Sequence, residues 1–228
     1  DGHRSLFESR SQNRKGLLMW MSHSCWPSMV WQTYDYYFEP TAAYFAIKKA
    51  SEPLHIQWNP VTDEVEVVNY SGGNRKGLTA KAQVLNMDAS VAWEKEVTTD
   101  SNEDTTNKCI RLEFPDNLSK VHFIKMVLTE NGKVISENFY HRSLEENNYQ
   151  DLRNLPKVAL KSDVTTNKGT DGNWNGTVVI ENTTSTPALM IRVNVVGDKD
   201  GEQFLPMFYS DNYFALLPGE KKEVSFHW

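Results

Sequence analysis

The chain has 228 residues, 39% of them apolar and 24% charged, with a formal charge of −6 at pH 7. Acidic and basic residues are interleaved, so no basic patch awaits nucleic acid or an anionic membrane, whereas a neutral polysaccharide is compatible with such a surface. No apolar run approaches the roughly 20 residues of a membrane span, residues 1–16 are too polar for a signal peptide, and a chain of this length buries one large or two modest cores.

In chain order, residues 1–16 read as the end of a helix plus its connection, with Leu6 and Phe7 as the apolar part and Gln12-Asn13-Arg14-Lys15-Gly16 as a polar exit. Residues 17–22 (LLMWMS) are apolar and aromatic enough for a strand buried on both faces, the pattern of a parallel sheet. Pro40 and Thr41 open a helix over 41–50, whose Ala43, Tyr44, Ala46, Ile47 and Ala50 make one apolar stripe before Glu52-Pro53 ends it. One strand and one crossover helix make no core.

Beyond Pro53 the period changes to two. Runs at 54–58, 63–69, 78–86, 91–98, 108–114, 121–130 and 133–140 are short and rich in β-branched and aromatic residues. A spacing of roughly 8 to 12 residues between such strands is the signal of an immunoglobulin-like sandwich. Asn131-Gly132 between the last two predicts a two-residue type I′ hairpin, because both residues tolerate positive φ. The polar stretch 142–154 reads as an interdomain linker. After it, runs at 158–164, 174–182, 188–196 and 222–228 predict a second antiparallel region, with a Pro218-Gly219 turn feeding a last strand whose Val224 and Phe226 face inward. That is fewer strands than a full sandwich uses, so a further C-terminal strand or an open edge is expected.

Cys25 and Cys109 are the only cysteines, and they lie in segments assigned to different domains, so free buried thiols are expected rather than a disulfide. Asn117, Asn175 and Asn182 head glycosylation sequons, which are read as chance.

The pattern WM-x4-WPS-x2-W-x2-YDYY over 20–37, followed by P-x2-AYF-x2-KKA-x-EPLHIQ over 40–57, resembles the eighth strand and eighth helix of the (β/α)8 barrel of glycoside hydrolase family two. The similarity is to its exo-β-glucosaminidases, β-mannosidases and endo-β-mannosidases. YSDNYFALLPGE at 209–220 resembles a segment near the C-terminus of the same enzymes. Ser22, His23 and Ser24 stand where many relatives carry Leu-Asn-Asn or Leu-Asn-Asp, which leaves the sugar open. The resemblance implies a mainly β chain: residues 1–53 as the end of a barrel (the end of helix seven, strand eight, helix eight), 54–151 as an immunoglobulin-like sandwich, and 152–228 as a second one, with a further C-terminal strand or an open edge as the two alternatives.

The resemblance also implies the chemistry, which proceeds with retention through two glutamates roughly 5–5.5 Å apart. In the family these sit at the ends of strands four and seven, which this chain does not include, so no catalytic residue is expected here. Glu8 falls on a helix, away from the strand ends where barrel chemistry sits. No phosphate loop, nucleophile elbow or zinc motif replaces the glutamates, and neither a metal nor another cofactor is expected. His23 and Cys25, two apart on a loop without a third partner, read as a coincidence.

Trp20 matches the strand-eight tryptophan that closes the sugar subsite in related barrels, often through a cis peptide to the next residue. Trp20, His23 and Trp26 are therefore the expected substrate-binding residues. Trp31, Tyr34, Asp35, Tyr36 and Tyr37 read as structural, as do Tyr209, Asp211, Asn212 and Tyr213 in the second β region.

Three functional readings follow. The first is the C-terminal part of a periplasmic or extracellular β-glycosidase, inactive alone, with the missing N-terminal domains and a β-linked glycan as its partners and with sandwiches that brace the barrel and wall its cleft. The second is a free-standing carbohydrate-binding sandwich, and the third an interaction module with no ligand. The first is favoured because an independent sandwich has no use for a barrel strand and its helix. Without barrel partners, the aromatic faces of 17–50 are expected to fold back on the first sandwich or to pair between two copies as a homodimer.

Overall fold

A computed structural model describes residues 18–28, 31–169 and 172–228. The expectations for residues 1–17, including the placement of Glu8, lie outside the described residues. The chain is mainly β, with thirteen strands and one α-helix among the described residues. It divides into two compact units, Ala46–Leu155 and a second made of Leu18–Phe45 with Pro156–Trp228. No helix among the described residues is long and apolar enough to cross a membrane.

In the first unit, strands β1 (Leu54–Asn59), β2 (Glu64–Asn69) and β5 (Thr105–Arg111) form one antiparallel sheet. Strands β4 (Val91–Ser101), β3 (Arg75–Asn86), β6 (Val121–Glu130) and β7 (Lys133–Ser143) form the other. This is the seven-strand sandwich that the period-two pattern predicts. Alternate residues point inward, so Ile56, Trp58, Val65, Val67, Leu78, Ala80, Ala82, Ile124, Met126 and Leu128 make one core. Each large side chain among them contributes about 1.5–3 kcal/mol by burial. Trp58 meets Tyr140 edge-on at 5.7 Å, and the Arg142 guanidinium lies 4.5 Å from the indole centroid. At the β6–β7 hairpin, Glu130 pairs with Lys133 while Asn131 (φ 51°) and Gly132 (φ 77°) turn left-handed, as a type I′ turn requires.

In the second unit, β8 (Lys161–Lys168), β9 (Trp174–Glu181), β13 (Lys221–His227) and the short β11 (Phe208–Tyr209) form one sheet, in the order β11-β13-β9-β8. Strands β10 (Ala188–Ile191) and β12 (Phe214–Leu216) pair separately. Val178, Ile180, Val224 and Phe226 on the larger sheet pack with Ala188, Ile191, Met207 and Leu216. Val224 and Phe226 do face inward. The strand expected at 158–164 lies instead at Lys161–Lys168, and the one expected over 188–196 stops at Ile191. The reason is local. Met190 adopts φ 52°, and the backbone beyond it is held by side chains rather than by a ladder. Asn212 accepts from Val193 N (2.7 Å) and donates to Val193 O (2.9 Å), and Tyr209 Oη accepts from Val195 N (3.0 Å).

The sequon residue Asn182 is fully buried, donating to Thr186 O and Leu216 O and accepting from the Thr184 amide and hydroxyl, which leaves its amide nitrogen no hydrogen to give to a glycan. Helix α1 runs Ala42–Ala50, one residue shorter than predicted. Residues 18–22 are not a strand. A parallel strand exists only against neighbours, and no strand among the described residues pairs with this segment. Residues 18–45 group with the second unit.

Gly176 on β9 lies beneath the Phe226 ring, where an added Cβ falls 2.3 Å from the ring tip. Gly176→Ala is expected to cost about 1–3 kcal/mol, read as a lowered Tm. An unchanged Tm would show that the ring does not lie across this glycine.

Candidate functional site

The tryptophan segment is a self-tied loop. Ser22 O accepts from Tyr34 N (3.0 Å) and from Thr33 Oγ1 (2.9 Å), so residues 22 and 34 are fastened side by side. Thr41 closes the base, its amide donating to Thr33 O (2.9 Å) and its hydroxyl to Gln32 O (2.7 Å). Between these ties Asp35 shapes a tight turn. One carboxylate oxygen accepts from the amides of Tyr37 and Glu39, each at 2.9 Å, while Asp35 N donates to Glu39 O. This is ordinary Asx chemistry, and it makes Asp35 structural. Tyr34 packs on Tyr44 of α1 with centroids 5.3 Å apart, and burial together with that neighbour raises its phenol pKa.

Trp20 and Trp26 project from this loop, 85% and 66% exposed, and the Trp20–Met21 peptide is cis. His23 is placed differently. Its ring stacks on Phe38 at 4.3 Å, and Nε2 donates to Tyr36 O at 3.3 Å. Among the described residues neither tryptophan stacks on another ring, so the loop presents two separate indole faces with His23 held beneath by the turn. Trp31, Tyr36 and Tyr37, read as structural from the sequence, are also exposed.

Sequence reasoning missed the group that anchors this loop. Glu39 forms an ion pair with Arg192, in the segment that follows β10. With its amide oriented to satisfy its neighbours, Gln203 donates to the other Glu39 oxygen (3.0 Å) and accepts from Arg192 Nη2 (2.8 Å) and Asn194 Nδ2 (3.0 Å). Nearby, Phe45 contacts Tyr213 at 6.0 Å. The pair joins residues 153 positions apart, and no motif or periodicity marks either one.

Elsewhere the polar groups are structural. Cys25 is free but exposed, contrary to the buried thiol expected. Cys109 is free and half-buried, its thiol donating to Val65 O (3.3 Å), and burial pushes its pKa up to about 11, far from a reactive thiolate. Ser136, His55 and Glu52 come together in the first sandwich, where Ser136 Oγ donates to Glu52 Oε2 (2.6 Å). Yet Glu52 and Ser136 both meet the same ring nitrogen, His55 Nδ1, at 3.1 and 3.4 Å. Nε2 faces Asn138 instead. A catalytic triad needs nucleophile and acid on opposite nitrogens, so this cluster is not a triad, and it ties β1 to β7. No group of three or more His, Cys, Asp or Glu side chains among the described residues is arranged to hold a metal.

Burial alone would raise the Glu52 pKa, but the His55 hydrogen bond, the Lys49 charge and the Ser136 hydroxyl outweigh it and hold the carboxyl below its ordinary 4.5. A depressed folded pKa stabilises the fold fully above the unfolded value, and this stabilisation is lost as the pH falls through the folded value. Glu52→Gln is therefore expected to cost about 1–2 kcal/mol at pH 7, with the gap to wild type narrowing in unfolding curves taken below about pH 4.5. A gap that widens on acidification would contradict the assignment.

Comparison with known proteins finds similar chains along nearly all of this one. Residues 138–228 match the exo-β-D-glucosaminidase Ig-fold domain. The exo-β-D-glucosaminidase of Streptomyces avermitilis is 34% identical over 94% of this chain, and the chain spans 26% of that relative's length. The mannosylglycoprotein endo-β-mannosidase of Lilium longiflorum is 24% identical over 92% of the chain and is spanned to 28%. Among solved structures, the Amycolatopsis orientalis exo-chitosanase in complex with PNP-β-D-glucosamine superposes with a TM-score of 0.89 at 29% identity. That match covers 99% of this chain and 30% of the exo-chitosanase.

Proposed function

From the homology of this chain to the C-terminal part of family-two β-glycosidases, we propose that it works within a longer polypeptide that hydrolyses β-glycosides with retention. β-D-glucosaminides are the first substrate class, since the exo-β-D-glucosaminidase of Streptomyces avermitilis is more similar (34%) than the endo-β-mannosidase of the lily (24%). The two catalytic glutamates lie upstream, on barrel strands this chain does not carry. Residues 18–53 would supply the end of that barrel, with the sandwiches bracing it and walling its cleft.

The observation that carries this reading is Trp20. It matches the tryptophan that closes the family's sugar subsite, and it stands solvent-exposed on a loop whose backbone is fixed by hydrogen bonds at Ser22, Thr33 and Thr41. A flat indole face accepts the C–H face of a pyranose, and Trp20 supplies that face to the sugar being cleaved. Trp26 adds a second apolar wall, and His23, pinned by Phe38 and Tyr36, keeps the turn between them in place.

In the full-length polypeptide, hydrolysis of nitrophenyl β-D-glucosaminide is expected to exceed that of the β-mannoside and β-galactoside. Trp20→Ala is expected to lower kcat/KM about 10- to 100-fold, the loss of about 1.4–2.8 kcal/mol of transition-state binding. Wild-type kcat/KM in that variant would remove Trp20 from the sugar site, and binding of glycan with no turnover of any glycoside would favour a carbohydrate-binding module.

A further inference from the structure

The sugar-site loop has no sheet of its own, yet one side chain ties it to the second sandwich. Glu39 ends the Asp35 turn, its amide on Asp35 Oδ1 and its carbonyl accepting from Asp35 N. Tyr34, beside Asp35, is bridged to Pro40 and donates to Ser22 O, two residues from Trp20. A displacement of Glu39 is therefore carried through one short backbone tie to the segment bearing Trp20, His23 and Trp26.

The far end of the tether is built, not incidental. Arg192 and Asn194 lie two residues apart and both donate to the Gln203 oxygen, so they share a side, and the backbone there is locked at Val193 by Asn212 and at Val195 by Tyr209. Val196 bridges to Gln203, which brings the Gln203 amide across to complete the set. Both oxygens of Glu39 are thus engaged, one by a guanidinium and one by an amide that itself accepts from the same guanidinium. A lone surface ion pair is worth little. A pair whose partners are fixed by separate hydrogen bonds loses less entropy and holds geometry better.

We infer that Arg192, supported by Gln203, is a positioning residue for the sugar site: it touches no sugar, and through Glu39 it fixes the loop that presents Trp20 and Trp26. The inference rests on the glycosidase reading above and gives the second sandwich a role in it. Second-sandwich residues would then set the apparent affinity for the terminal sugar from a site far away in sequence.

Two measurements test it. In the 228-residue chain, Arg192→Ala is expected to speed amide hydrogen exchange across residues 20–28 and 33–39 at least tenfold, while the amides of β9, β13 and β1–β7 keep wild-type rates. In the full-length polypeptide the same substitution is expected to lower kcat/KM for nitrophenyl β-D-glucosaminide about tenfold, mostly through KM. Arg192→Lys should recover part of the loss, and Glu39→Gln combined with Arg192→Ala should do no more harm than either alone. Unchanged exchange in the loop would overturn the tether. Faster exchange with wild-type kinetics would overturn the positioning role. A wild-type polypeptide inactive on every β-glycoside would refute the glycosidase reading and with it the positioning role, while the exchange result would still decide whether Arg192 holds the loop.

Discussion

Backbone amides that leave a β-ladder still need partners, and in this chain the places where ladders give out are where side chains decide the structure. Around Trp20, where the expected parallel strand has no neighbour among the described residues, Ser22, Thr33, Thr41 and Asp35 close the loop by hydrogen bonds. Beyond Ile191, where β10 stops early, Asn212 and Tyr209 supply the bonds a paired strand would have made. Glu39 and Arg192 then join the first of these regions to the second. Within the second unit, the loop's tryptophans are exposed, while Tyr34 packs on Tyr44.

The two regions contrast with the first sandwich, which is held by repetition. Its core residues alternate with polar ones along seven strands, and Ser136 and Asn138 on β7 reach His55 on β1 and Tyr140 beside them. Such a body suits a brace. A loop whose indole rings stand in water and whose backbone is pinned by a few polar groups suits a recognition surface, where an aromatic face needs both access and a fixed direction.

The repetition was also what could be read from the sequence. β6 spans the predicted 121–130, and Asn131-Gly132 turned as its φ preferences require, because these signals are local. The strands expected over 18–22 and 192–196 do not form, for the opposite reason. Their apolar character is real, but strand formation depends on a neighbour, and a positive φ at Met190 redirects the chain before the second can form. Trp20, His23 and Trp26 stood out through a motif, yet nothing in it showed that His23 would stack on Phe38 while the two tryptophans stayed exposed. Glu39, Arg192 and Gln203 were invisible, since their meeting depends on the folded course of a chain that puts the ion pair 153 positions apart.

On the proposed reading, this chain contributes a wall of the sugar site and the frame that holds it, while the bond-breaking carboxylates come from elsewhere in the polypeptide. The most direct test is hydrolysis of nitrophenyl β-D-glucosaminide by the 228-residue chain, run beside a polypeptide that also carries the upstream barrel strands. Turnover only in the longer polypeptide is the expected result. Turnover by the 228 residues alone would contradict it and would require a catalytic pair within this chain.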